Sequence, residues 1–165
     1  MNTALPTGVD VVVAAQTLGQ TVRRTPLDLS LRLSGIRRQS VLLKREDIQV
    51  GRSYKARGAY NFISSLSAEE REAGVVCASA GNHAQGVAFA CRQLKIHAKV
   101  FLPSTTPRQK RARIADIGGR WIEQVIVGAT FDEASAAAQK HAREHSATYV
   151  HPFDDPRTIA GQGTV

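Results

Sequence analysis

Apolar and polar positions follow two different periods along most of the chain. Short apolar runs of the kind found in buried strands lie at residues 74–79, 98–103, 120–127 and 147–153. Segments with the three-to-four-residue spacing of amphipathic helices lie at residues 9–20, 55–66, 81–94, 108–117 and 131–145. Because strand and helix patterns alternate from residue 74 onward, we predict an α/β fold with a parallel sheet and helices on its faces.

Local signals mark several of the helix ends. Residues 67–70 and 130–133 each place Ser or Thr three positions before Glu, which is the pattern of a capping box. Thr106 and Pro107 predict a cap and a first-turn proline for the helix that follows them. The glycine pair at 118–119 predicts the end of that helix.

The first stretch with chemical potential is SAGNH, residues 79–83, which runs from a predicted strand into a predicted helix. Ligands of parallel sheets bind at the carboxyl ends of the strands. Gly81 permits a tight turn, and the free N–H groups of the first helical turn favour an anion such as a carboxylate or phosphate. Ser79, Asn82 and His83 add side-chain donors. An ordinary helix cap without a ligand explains the same residues.

The second stretch is SYKARGA, residues 53–59, which places the amine of Lys55 among small and apolar residues. A lysine amine acts as a nucleophile when burial or a neighbouring cation favours its neutral form, and Arg57 or the pair 44–45 could supply that cation. Residues 41–47 begin apolar and turn charged, which predicts a buried strand that ends at a site. The alternative for Lys55 is a solvated amine on a helix surface.

Four motifs in order extend these two stretches into a family resemblance that runs from about Thr25 to the last residue. They are KRED at 44–47, SYKARGAYN at 53–61, SAGNHAQGVA at 79–88 and FDDPRTIAGQGTV at 153–165. Together they resemble the fold type II enzymes that depend on pyridoxal 5′-phosphate, and within them the serine/threonine dehydratases. The KRED form, TPRQKR at 106–111 and the FDEA segment are most similar to the biosynthetic threonine ammonia-lyases.

The resemblance implies roles for individual residues. Lys55 matches the lysine that forms a Schiff base with the cofactor aldehyde. Tyr54 stands beside the cofactor ring where the family usually has Phe, and Asn82 matches the residue that hydrogen-bonds the ring's 3′ oxygen. The loop that grips the substrate carboxylate corresponds to Ser79, Ala80, Gly81, Asn82 and His83.

Ala80 bears on the type of reaction. Related serine racemases tend to have a second Ser at this position, where it acts on the opposite face of the substrate. Since Ala80 cannot take a proton, the resemblance favours elimination over racemisation. It implies conversion of L-threonine to 2-oxobutanoate and ammonia, the first step of isoleucine biosynthesis, with Lys55 removing the α-proton.

The resemblance also implies a division of the chain. Residues 1–73 would begin the larger cofactor-binding domain, 74–152 would form the small α/β domain, and 153–165 would return to the larger domain. The Gly-rich loop that binds the cofactor phosphate lies in the family beyond the motifs found here. We therefore expect a fragment or truncated product that binds pyridoxal phosphate weakly and has little or no activity alone, with a homo-oligomeric full-length parent.

Composition and charge bear on whether the chain binds nucleic acid, a membrane or a metal. The formal net charge is +8, but the basic residues are scattered and no stacking aromatic residues are interleaved with them, so we do not expect a nucleic-acid binder. No apolar run approaches the ~20 residues of a membrane span. Cys77 and Cys91 predict small buried reduced thiols in a cytoplasmic protein. His141 and His145 share a helix face, which we interpret as a charged surface and not as a metal site.

Other functions stay open from the sequence. A catabolic L-serine/L-threonine dehydratase would carry the same motifs. A non-catalytic family member could act as a binding module through an exposed sheet edge. A basic nucleic-acid binder is a third class, and binding that follows salt but ignores pyridoxal phosphate would identify it.

Overall fold

The structure, a computed structural model, describes residues 5–165. The helices are α1 (Gly8–Leu18), α2 (Leu31–Arg37), α3 (Lys55–Ser64), α4 (Ala68–Ala73), α5 (Asn82–Leu94), α6 (Arg108–Gly118), α7 (Phe131–Glu144) and α8 (Pro156–Gln162). The strands are β1 (Leu27–Leu29), β2 (Leu42–Lys44), β3 (Val75–Ala78), β4 (Ala98–Leu102), β5 (Ile122–Ile126) and β6 (Thr148–Tyr149). Short 3₁₀ turns lie at Glu46–Ile48, Val50–Arg52 and Gly119–Trp121.

Strands β3 to β6 form one parallel sheet in the order β5-β4-β3-β6. Side chains alternate between its faces as the strand period requires. On one face, Val76, Ala78 and Phe101 pack against alanines of α7. On the other face, Cys77 and Val100 pack against α5 and α6. The predicted α/β fold with a helix-covered parallel sheet is confirmed.

Helix α3 lies between α5 and α8 at distances that only glycine allows. A Cβ atom at Gly86 of α5 would lie 2.8 Å from the carbonyl oxygen of Lys55. A Cβ atom at Gly161 of α8 would lie 2.7 Å from the Cα atom of Gly58. The first turn of α3, which carries Lys55, is therefore pressed directly against the backbone of α5.

The strand predicted at residues 41–47 forms, but its predicted burial is wrong. Strand β2 pairs antiparallel with β1 in a separate two-stranded sheet. Leu42 and Leu43 are 53% and 41% exposed. The apolar run reflects strand propensity, and β2 lies outside the four-stranded sheet, whose central strands β3 and β4 are buried while its edge strand β5 is partly exposed.

The capping boxes at 67–70 and 130–133 are confirmed, as is the helix end at Gly119, where φ is +56°. The predicted cap at Thr106 is wrong. Helix α6 begins at Arg108, and Pro107 precedes it with an extended ψ of 143°. The hydroxyl of Thr106 is buried and makes no hydrogen bond among the described residues, so the side chain does not cap the helix.

Cys77 and Cys91 are buried free thiols, as predicted. Burial raises the pKa of Cys77 to about 12, so the thiol is protonated at neutral pH. The imidazole rings of His141 and His145 stack with centroids 3.9 Å apart. Within residues 5–165, no group of three or more His, Cys, Asp or Glu side chains is arranged to hold a metal ion. No helix of that region is long and apolar enough to cross a membrane.

Candidate active site

Two of the predicted site residues meet at the segment that leaves the carboxyl end of β6. The amine of Lys55 donates a hydrogen bond of 2.8 Å to the carbonyl of Pro152. The imidazole Nε2 of His83 lies 2.9 Å from the carbonyl of Val150. The two carbonyls are two residues apart, so residues 150–152 bring the lysine of α3 and the first turn of α5 together at the ligand-binding edge of the sheet.

Lys55 is the first residue of α3 and is half-buried. Its backbone N–H donates to the hydroxyl of Ser53 over 3.3 Å, which fixes the start of the helix. The ring centroid of Tyr54 lies 5.2 Å from the Lys55 amine, and Tyr54 is 43% exposed. An amine and the flat face of an aromatic ring therefore lie side by side at an accessible point.

A buried ion pair holds α3 from its other side. The guanidinium of Arg57 donates two hydrogen bonds to Glu46, of 2.7 and 2.9 Å, and Thr25 donates to the same carboxylate. Burial by itself raises the pKa of Glu46, but the hydrogen bonds from Arg57 and Thr25 outweigh it and hold the pKa below its usual value. Glu46 is therefore ionised, and the pair ties α3 to the segment between β2 and α3.

The basic residues expected to act on Lys55 are engaged elsewhere. Arg57 is paired with Glu46, and Arg45 is paired with Asp47 at 2.8 Å. Lys44 donates to a backbone carbonyl over 2.8 Å. The expectation that one of these groups serves Lys55 as a free neighbouring cation is therefore not supported, because carboxylates and a carbonyl already satisfy them.

The loop at residues 79–83 leaves its helix terminus open. Gly81 is the N-cap of α5 and has no side chain to cap the first turn. The Gly81 N–H donates to the hydroxyl of Ser79 over 3.2 Å, and a Cβ atom at Gly81 would meet nothing within 4 Å. Asn82 is exposed, and Ala80 is half-buried. This arrangement presents backbone N–H groups and two polar side chains to an anion.

His83 differs from its neighbours because it is only 4% exposed. A carbonyl oxygen can only accept a hydrogen bond, so Nε2 carries the proton and donates to Val150. Burial, together with the charges of Lys55 and His151, lowers the pKa of His83 to about 4, although the hydrogen bond to Val150 acts in the opposite direction. The imidazole is therefore neutral at physiological pH, with Nδ1 buried and without a partner among the described residues.

Sequence reasoning missed the carbonyls of Val150 and Pro152 and the pairing of Arg57 with Glu46. Backbone carbonyls have no side-chain signature, so no sequence pattern could have identified them. The ion pair had no specific signal in the sequence, because Glu46 and Arg57 are 11 positions apart and only the structure shows that both are buried.

The fold and the site together define a class of protein. A lysine amine and an open strand-to-helix turn, brought together at the carboxyl edge of a parallel sheet, are the arrangement of fold type II enzymes. Residues 18–165 match the family described as pyridoxal-phosphate dependent enzymes. The chain belongs to this family, and the predicted family and its cofactor are confirmed.

Individual relatives indicate a narrower group within this family. The biosynthetic L-threonine dehydratase of Mycobacterium tuberculosis is 54% identical over 158 residues, which are 96% of this chain and 37% of the relative. That of Bacillus subtilis is 50% identical over 155 residues, which are 94% of this chain and 37% of the relative. The chain thus spans little more than a third of the length of these relatives.

Solved structures agree with the fold. The processed form of threonine deaminase isoform 2 from Solanum lycopersicum has a TM-score of 0.88 at 43% identity and aligns with 94% of this chain and 44% of its own. Maize serine racemase has a TM-score of 0.90 at 28% identity and aligns with 98% of this chain and 48% of its own. The predicted fold type II architecture is confirmed.

Proposed function

We propose that this chain supplies the lysine-bearing part of a threonine dehydratase that converts L-threonine to 2-oxobutanoate and ammonia. One observation carries the proposal: the Lys55 amine is anchored on the Pro152 carbonyl beside the open first turn of α5. The relatives named as biosynthetic threonine dehydratases support threonine as the substrate and isoleucine biosynthesis as the role.

The residues present fit the aldehyde and the ring of pyridoxal phosphate. Lys55 offers the amine that reacts with an aldehyde, and the exposed ring of Tyr54 offers a flat surface beside it. The exposed amide of Asn82 offers a donor for a ring oxygen. When bound, the cofactor supplies an electron sink that makes the α-proton of an amino acid acidic.

The chain's own residues would bind the substrate and transfer its proton. First-turn N–H groups of α5, with Ser79, bind the substrate carboxylate and orient its α-carbon. Lys55 accepts the α-proton at Nζ as a general base. Ala80 has no group that can return a proton to the opposite face. Loss of the β-hydroxyl then prevails over racemisation, and the sum of the reaction is threonine giving 2-oxobutanoate and ammonia.

We further propose the division of the chain that the motifs imply. Residues 74–152 form the small domain, and 1–73 with 153–165 belong to the larger one. The position of all four strands of the parallel sheet between Val75 and Tyr149 supports this division. We place the activity in the cytoplasm, where the buried thiols of Cys77 and Cys91 stay reduced, and we propose a homo-oligomeric parent without a nucleic-acid partner.

The proposal is tested by trapping the bond between the cofactor aldehyde and a lysine amine. The chain is mixed with pyridoxal phosphate and reduced with borohydride, and the modified lysine is located by peptide mass. We expect the adduct on Lys55, and its loss in Lys55→Ala. Scattered labelling over other lysines, or none, would refute a cofactor site on this chain. Since we expect little activity from this chain alone, parallel assays of the proposed longer parent, for 2-oxobutanoate from threonine and for pyruvate from serine, separate the biosynthetic from the catabolic activity.

A further inference from the structure

The segment at residues 150–152 uses every carbonyl it has. The Val150 carbonyl accepts from His83, the His151 carbonyl accepts from Thr158 over 3.2 Å, and the Pro152 carbonyl accepts from Lys55. We call these three groups the carbonyl triplet. Each peptide unit is planar, proline fixes φ at Pro152, and the residue before a proline is confined to extended conformations, so a donor that fixes the Val150 carbonyl narrows the directions open to the next two.

His83 is suited to fix the triplet from the side of α5. It is the second residue of that helix, 4% exposed, and its ring reaches across to Val150. The neutral ring has one N–H, and the carbonyl of Val150 consumes it. The groups charged or titratable near this ring are Lys55 and His151, and both oppose its protonation. The ring is therefore a single-donor tether with one stable tautomer.

We propose that His83 is a positioning residue, whose Nε2–H tether to Val150 sets the carbonyl triplet and thereby the direction of the Lys55 amine. This role differs from the proposed carboxylate binding at the start of α5. Carboxylate binding would use backbone N–H groups, whereas the tether uses the side chain of His83. This proposal rests on the proposed function, since its effect is expressed through the chemistry of Lys55.

Two substitutions of His83 distinguish an effect on the direction of the Lys55 amine from an effect on the stability of the fold. His83→Gln keeps an N–H donor at the reach of Nε2, and His83→Asn keeps only an amide at the shorter reach of Nδ1. Val87→Ala is the matched control, because Val87 is fully buried on the same helix and lies in the core that includes Cys77 and Val100. It weakens packing in the core that also contains Val150, but it removes none of the three donors to the triplet.

The measurement is the rate of borohydride-trapped adduct formation on Lys55, expressed per folded molecule. We expect His83→Asn to lower this rate by about a hundredfold, since a displacement of ~1 Å has costs of that order. His83→Gln should restore it to within about threefold, and Val87→Ala should leave it unchanged at a similar loss of melting temperature. Equal rates in His83→Asn and wild type would overturn the proposal while leaving the proposed function intact.

A second measurement needs no cofactor. Nitrogen-15 NMR of histidine-labelled protein distinguishes a protonated ring nitrogen from an unprotonated one, and we expect His83 as the neutral Nε2–H form at neutral pH. An Nδ1–H form, or a charged ring, would overturn the tether directly. If wild type forms no Lys55 adduct, the proposed function fails, and the positioning role toward that chemistry fails with it; the NMR result then decides the tether alone.

Discussion

Acid should weaken this fold through one buried side chain, His83. Its pKa is about 4 in the folded chain, because burial and the charges of Lys55 and His151 disfavour the imidazolium form. An unfolded histidine has a pKa of about 6.5. Between these two pKa values, His83 is protonated in the unfolded chain and neutral in the folded chain. The stability contributed by His83 is therefore complete above about pH 6.5 and falls as the pH drops toward 4.

The size of the effect follows from the two pKa values. Between about pH 7 and pH 4.5, this one group should remove ~2 kcal/mol from the free energy of unfolding. Urea denaturation followed by circular dichroism at both pH values measures the loss in wild type and in His83→Gln, whose amide does not titrate. Other groups contribute to both proteins alike, so the difference isolates His83. Equal losses in the two proteins would refute the reasoning.

Three further predictions concern packing and charge. Glu46→Gln should destabilise the fold by about 3 kcal/mol, because it leaves the buried Arg57 uncompensated, and a loss below ~1 kcal/mol in urea denaturation would contradict a stabilising pair. Gly86→Ala should cost about 1–3 kcal/mol, because its Cβ would lie 2.8 Å from the Lys55 carbonyl oxygen. Its control, Gly35→Ala, meets nothing within 4 Å and should stabilise α2 slightly, so similar melting temperatures for the two variants would argue against the close approach. Ile114→Ala should cost about 2–5 kcal/mol in the same assay, since Ile114 is 0% exposed, and a near-neutral result would show that the core collapses around it.

The site shows which parts of such a protein sequence reasoning can reach. The motif around Lys55 and the turn at 79–83 were both visible, because glycine, polar caps and a lysine among small residues are chemical signals in themselves. Their meeting point was not visible. It depends on the carbonyls of Val150 and Pro152, which every residue type would offer equally.

The two errors have different physical origins. Residues 41–43 are an apolar run that we interpreted as a strand, and the strand forms; whether it is buried depends on what packs over it. Thr106 and Pro107 have the composition of a helix start, yet the helix begins one residue later because Pro107 is extended. The strand preference at 41–44 was predicted correctly and only its burial was not, whereas the helix start failed on the local backbone conformation of Pro107.

The sequence by itself determined the alternation of strands and helices, two capping boxes and the family, and it led us to propose Lys55 as the reactive lysine. These follow from side-chain period, local hydrogen bonding and residue chemistry, which act over a few neighbouring positions. Only the tertiary structure decided that His83 is a buried neutral tether, that Arg57 belongs to Glu46, and that Lys55 rests on Pro152. Those facts depend on burial and on contacts across up to 97 residues of chain, which no local pattern records.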